Sequence, residues 1–255
     1  MQPTDIIFKD LKKSVLGTGR TRRVFIDRGS NILFVAHVDT CVPPRSEPEK
    51  NGRIHGAGFD DRLGCKIAWE LGMELGVDVL LTDLEESGDS TARAHDYKDY
   101  NWICEFDRAG DDVVTYGMEN DEWIKNLEKY WIVGQGIFSD ISFMNVGCCA
   151  MNLGIGYQHA HSANSYYDVT VAHRQVALFR KFFKKQRKNK YIADQRRRDS
   201  VQWGFTSNSY EENFGNYYDE IGACCVCGNY ADDTIYELHL CEDCVDRMID
   251  SEIRI

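Results

Sequence analysis

Five stretches of this 255-residue chain place titratable or metal-binding groups at the ends of apolar runs. NILFVAHVD brings His37 and Asp39, GAGFDD brings Asp60 and Asp61, and VDVLLTDLEE ends on Glu85 and Glu86. NWICEFDRAG carries Asp107, and NLGIG is followed by His159 and His161. Charge at the edge of a buried segment is costly unless it is paired or bound to metal. Singly, each of these groups reads as an ordinary solvated or satisfied side chain. Jointly they offer two imidazoles and three carboxylates, a donor set that suits a pair of zinc ions with one carboxylate bridging. A fourth carboxylate is left to move protons, so of Glu85 and Glu86 one would bind metal and the other act as base. His37 and Asp39 share a face by the period of two, which lets the carboxylate fix the tautomer of a ligating imidazole.

A second set of donors lies near the C-terminus. Cys224-x2-Cys227 and Cys241-x2-Cys244 are separated by thirteen residues, the spacing of paired zinc knuckles. A segment this short cannot fold on an apolar core of its own, whereas structural zinc contributes on the order of 10–16 kcal/mol in finger peptides. Cys225 is adjacent to a ligand and reads as spare, and His239 is a weak substitute for one of the four cysteines. Cys41, Cys65, Cys104, Cys148 and Cys149 are scattered and read as reduced, buried small residues.

These groups need elements to hold them. RRVFIDRG and NILFVAHVD read as strands, the second apolar enough for the middle of a sheet. DDRLGCKIAWELGMELG repeats apolar residues at helical spacing, and VDVLLTDLEE is another buried strand. STARAHDY reads as a short helix, NWICEFDRAG and DDVVTYG as strands, DEWIKNLEKYW as helix and GCCAMNLGIG as strand. A long amphipathic helix is expected from about Tyr167 to Lys190. Such alternation indicates an α/β fold of three layers, a mixed and mostly parallel sheet flanked by helices. Ligands in these sheets sit beyond the carboxyl ends of the strands, where the five stretches end.

HVDTCVPP, GAGFDDRLG, LLTDLEESG, EFDRAG and GIGYQHAHS, in that order, resemble the co-catalytic zinc exopeptidase superfamily of peptidase T, the acetylornithine deacetylase relatives and the single-domain zinc aminopeptidases. The resemblance covers roughly residues 25 to 180. It implies that His37 binds one metal, oriented by Asp39, that Asp60 bridges both ions and that Glu85 is the general base. Glu86 and His161 would complete one metal position and Asp107 the other, with His159 the runner-up to His161. Asp60 is preferred to Asp61 by the family pattern, and a cis peptide between them is expected. The implied chemistry is amide hydrolysis by metal-activated water, on a peptide or an acylated amino acid.

Two departures narrow the expectation. Asp107 and His161 are too close for the lid domain that many relatives insert between them, which favours the single-domain aminopeptidases. Ser165 stands where relatives often carry Glu. Tyr157 is a candidate for binding the oxyanion, although a packed tyrosine is the plainer reading.

The organisation expected is a catalytic domain over 1–190, a polar linker over 191–221 and a four-cysteine zinc ribbon or treble clef over 222–255. Two catalytic zinc ions, or other divalent ions, and one structural zinc are implied. Net charge is -11, with basic residues concentrated in RKFFKKQRKNK and RRR, so the acidic main domain disfavours nucleic acid. The acidic cysteine module fits contact with a protein partner, or a cap over the catalytic domain. No apolar run of membrane-spanning length and no secretory signal is read, which points to the cytoplasm. The principal expectation is an aminopeptidase or dipeptidase. A deacylase of N-acyl amino acids and an inactive scaffold recruiting a partner through the zinc module are the alternatives.

Overall fold

The computed structural model describes residues 4–136, 138–162 and 164–198, with two further strands at Asp233–Ile235 and Leu238–Leu240. Cys224, Cys227, Cys241 and Cys244 lie outside the described residues, as do Cys225 and most of the 191–221 segment. The chain runs through α1 (Thr4–Asp10), β1 (Val15–Leu16), β2 (Arg23–Ile26), β3 (Ile32–His37), β4 (Arg45–Ser46) and β5 (Arg53–Ala57). It continues with α2 (Phe59–Leu75), β6 (Asp78–Thr82), β7 (Trp102–Arg108), β8 (Val113–Val114) and α3 (Asp121–Leu127). β9 (Ala150–Gly154), β10 (Tyr157–Gln158), β11 (Tyr166–Asp168) and α4 (Val169–Gln186) complete the body.

The main sheet has the order β1-β2-β6-β3-β7-β9-β8. Its centre, β6-β3-β7-β9, is parallel, and the pairings outside it are antiparallel. Every residue of ILFVAH in β3 is buried, as an all-apolar strand at the middle of a covered sheet should be. Its side chains alternate between two cores. Ile32, Phe34 and Ala36 join Trp102, Phe106, Trp123, Phe179, Phe182 and Phe183 beneath the helices. Leu33 and Val35 join Leu80, Ile103, Tyr100, Ile141 and Met144 on the opposite face.

The opposite face is covered more thinly than the helical one. Among the described residues it is covered by loops and single 3-10 turns at Thr91–Ala94 and Asp140–Phe143. The helix expected in STARAHDY is the first of these turns, capped by the Ser90 side chain, which accepts from the Ala92 amide at 2.9 Å. The last helix also starts and ends inside its expected limits. Tyr166–Asp168 pairs instead with β5, and Asp168 caps α4 by accepting from the amides of Thr170 and Val171 at 2.9 and 3.0 Å. β10, β11, β5 and β4 form a small second sheet, which alternation alone did not reveal.

Between Asp107 and His161 the chain is used up by β8, α3, a 3-10 turn, β9 and β10, all part of the main body. The start of the segment expected as linker packs on it too. Tyr191 is buried and its carbonyl accepts from the Cys149 amide at 2.9 Å, while the Arg198 guanidinium donates to the carbonyls of Met144 and Val146.

Candidate metal centre

The parallel register of β3 and β7 builds the first half of the site. Val35 pairs with Glu105, so two residues further along each strand His37 and Asp107 emerge side by side on the same face. Asp107 Oδ1 lies 3.4 Å from His37 Nε2. On the other side of the ring, His37 Nδ1 is 3.1 Å from the Asp39 carbonyl and 3.4 Å from its carboxylate Oδ1. Asp39 also accepts from the Glu86 amide at 3.1 Å, tying the two strand ends together.

α2 supplies the centre. Its first residues leave helical geometry at Asp60 and Asp61, and the peptide between them is cis. The two neighbouring carboxylates thereby part company. Asp61 turns inward and accepts from the amides of His37 and Gly64, at 3.2 and 3.0 Å. Asp60 turns outward, with Oδ1 3.1 Å from His37 Nε2 and Oδ2 3.0 Å from His161 Nε2.

After β6 the chain reverses through Leu84 at φ 67°, a left-handed conformation, into a 3-10 turn at Glu85–Ser87. This turn separates the two glutamates. Glu85 is buried with Oε2 3.8 Å from His37 Nε2, and Glu86 Oε2 is 2.8 Å from His161 Nε2. His159, two residues before His161, packs its ring near Tyr166 at 5.8 Å and joins no cluster of ligating groups among the described residues.

His37, Asp39, Asp60, Glu85, Glu86, Asp107 and His161 thus share one pocket. Within it His37, Asp60 and Glu86, and again His37, Glu85 and Asp107, bring ligating atoms within 4.8 Å of one another. Tyr157 is buried and donates to Asp107 Oδ1 at 3.2 Å, so it braces that carboxylate.

Protonation in the pocket is governed by crowded charge. Burial pushes Glu85 up to about 10, with Asp107, Asp140 and Asp60 adding repulsion. Burial and Asp60 push Asp107 up to about 8. Burial acts against a charged His161, but Asp60 and Glu86 prevail and raise it to about 11. His37 is likewise raised against its burial, by Asp107 first. Carboxylates therefore outnumber their cationic partners in a largely buried space. His161 Nε2 is buried close to two carboxylate oxygens without forming a hydrogen bond to either. Divalent cations would relieve both conditions, and the nitrogen and oxygen donors suit zinc-like ions.

Several neighbours were not singled out from the sequence. Asn152 exchanges hydrogen bonds with the backbone of Asp107, accepting from its amide at 2.9 Å and donating to its carbonyl at 3.0 Å. It does so where the β7-β9 register breaks, replacing ladder bonds lost there. A lone amide in the apolar run AMNLG is the available signal. Glu105 and Asp140 are fully buried behind the site. Ser139 Oγ donates to Glu105 at 2.5 Å, and Thr82 and Ser90 donate to Asp140. Cys41, expected buried, is exposed, with Sγ 3.0 Å from Glu86 Oε2. The other four described cysteines are buried as expected.

No family model and no curated protein matches this sequence. Solved structures do match its fold. Aminopeptidase PepT from Bacillus cereus aligns with TM-score 0.50 and 12% identity over 71% of this chain and 91% of its own. A tripeptidase from Staphylococcus aureus gives 0.55 and 11% over 72% and 92%. An aminopeptidase from the archaeon Desulfurococcus kamchatkensis gives 0.50 and 15% over 78% and 91%. The chain has the mixed α/β fold of these peptidases, at an identity that speaks for the fold alone.

Proposed function

We propose that this protein is a metal-dependent hydrolase of peptide amide bonds, acting as an aminopeptidase or dipeptidase. The observation that carries the reading is the placement of Asp60, one carboxylate oxygen facing His37 and the other facing His161. A carboxylate so placed suits two ions. His37 and Asp107 would hold one, Glu86 and His161 the other, with Asp60 between.

Divalent ions at such a centre polarise the scissile carbonyl and lower the pKa of water. The protein's own groups do the rest. Asp39 holds the His37 ring so that Nε2 faces the pocket. Glu85, held close to His37 in a dry wall of the site, takes the proton from the attacking water and returns it to the leaving amine.

The peptidase reading is preferred to deacylation because the segment between Asp107 and His161 is body rather than lid. The fold shared with two aminopeptidases and a tripeptidase supports the same choice. The four C-terminal cysteines are proposed to bind one structural zinc and to present an acidic surface to a protein partner.

The test is a screen of aminoacyl amides and dipeptides against N-acyl amino acids, with and without chelator. Chelator-sensitive release from free-amine substrates is expected. Turnover confined to N-acyl amino acids would replace peptidase by deacylase, and inertness of the metal-loaded chain toward both would reject the enzyme.

A further inference from the structure

The loop after β3 brings one more donor to the centre. Cys41 is followed by Val42-Pro43-Pro44, and its backbone amide approaches Glu86 Oε1 at 3.3 Å while Sγ lies 3.0 Å from Glu86 Oε2. The thiol does not stand alone. Cys41, Glu86 and His161 bring their ligating atoms within 4.8 Å of one another, and His161 Nε2 is a buried nitrogen aimed at the carboxylates of Asp60 and Glu86. Glu86 and His161 are the groups assigned above to one metal position, whereas His37 and Asp107 have no sulfur beside them in the corresponding clusters.

We propose that Cys41 is a ligand of the metal held by Glu86 and His161, making that position nitrogen, oxygen and sulfur in character while the His37 position is nitrogen and oxygen only. The inference rests on the two-metal reading of the site. On metal entry the S–H bond breaks, its proton passes to solvent and a sulfur–metal bond forms, with no change of oxidation state. A thiolate prefers softer ions, so this position should favour zinc, cobalt or cadmium over magnesium or manganese. The two positions of one centre would then differ in selectivity.

Cobalt(II) loading of the full-length chain tests this, with Cys41→Ala and Cys41→Ser compared to the parent. The C-terminal cysteines are present in all three, so their contribution cancels in difference spectra. Parent minus variant should show a near-ultraviolet thiolate-to-cobalt charge-transfer band. Removing the ligand should weaken one cobalt-binding step by at least about tenfold, since even groups that only support ligands are worth about 10–100-fold. Cys41 occupies an exposed loop position, and a parent-like circular dichroism spectrum verifies that the variants fold. A flat difference spectrum with unchanged cobalt affinity overturns the role of Cys41 while leaving the two-metal centre standing. Absence of cobalt d–d bands attributable to His37 and His161 overturns the centre itself, and the inference with it.

Discussion

At the scale of single residues the site is a set of adjacent pairs whose members are sent to different work. Asp60 faces the pocket and Asp61 holds backbone amides; Glu85 is buried beside His37 and Glu86 meets His161. The division at 85–86 gives the first prediction. Glu85→Gln keeps the shape of the side chain and leaves the proposed ligands in place, so metal content should match the parent. Turnover should fall by about 10²–10⁴-fold, the usual worth of a positioned acid–base group. Activity within tenfold of the parent would remove Glu85 from that role. Sequence carried this level unevenly. The donor types were legible because charge at the end of a buried run demands a partner. Glu105 was overlooked although it lies two residues before Asp107 and so on the same face. Cys41 was misread because a solitary cysteine usually reports burial, and only the fold of the loop brings it to Glu86.

At the scale of elements, positions are set by close contacts between α2, β3 and β7. Gly64, on the first turn of α2, lies against the Phe106 carbonyl and the Asp61 carboxylate, and a methyl group there would collide with both. Gly64→Ala should therefore cost at least about 2 kcal/mol by overpacking. It should also disturb Asp61, whose carboxylate holds the His37 amide, and so weaken metal binding. Parent-like unfolding in denaturant together with parent-like metal affinity would contradict that packing.

A second element-scale prediction concerns the edge of the sheet, where His95 lies buried between Phe25 and Tyr97 and accepts from Arg23 Nε at 3.2 Å. Burial, followed by the Arg23 charge, pushes it down to about 4 from its ordinary 6.5. Between these values the unfolded chain binds a proton that the folded chain refuses, so acidification favours unfolding across that window. His95→Gln, which cannot titrate, should lose less stability than the parent on going from pH 6.5 to 4. Equal losses in urea melts would rule out the effect. Strand and helix identities were readable from periodicity. The small second sheet and the 3-10 cover were not, because strands of two or three residues carry too little pattern, and their pairing is decided by distant partners.

At the scale of the whole molecule, the parallel centre of the sheet directs the ends of β3, β6 and β7 to one edge, and α2 and the segment after β10 approach the same place. Distant stretches can meet there because ligands of open α/β sheets gather at the carboxyl ends of strands. That logic makes the location of the site legible in the sequence. Charge elsewhere is handled locally: the basic run at the end of α4 meets Glu74 through Arg180 at 2.5 Å and Asp99 through Lys190. No described helix is long and apolar enough to cross a membrane. Metal stoichiometry, with the C-terminal cysteines left unaltered, decides whether Asp60 is shared between two ions. Metal analysis of the full chain and of Asp60→Asn, each reconstituted with zinc and shown to be folded, is the most direct measurement. The bridging placement predicts that the variant loses about two ions per chain relative to the parent. Equal zinc in the two proteins, or a difference of a single ion, would contradict a shared carboxylate between two metals.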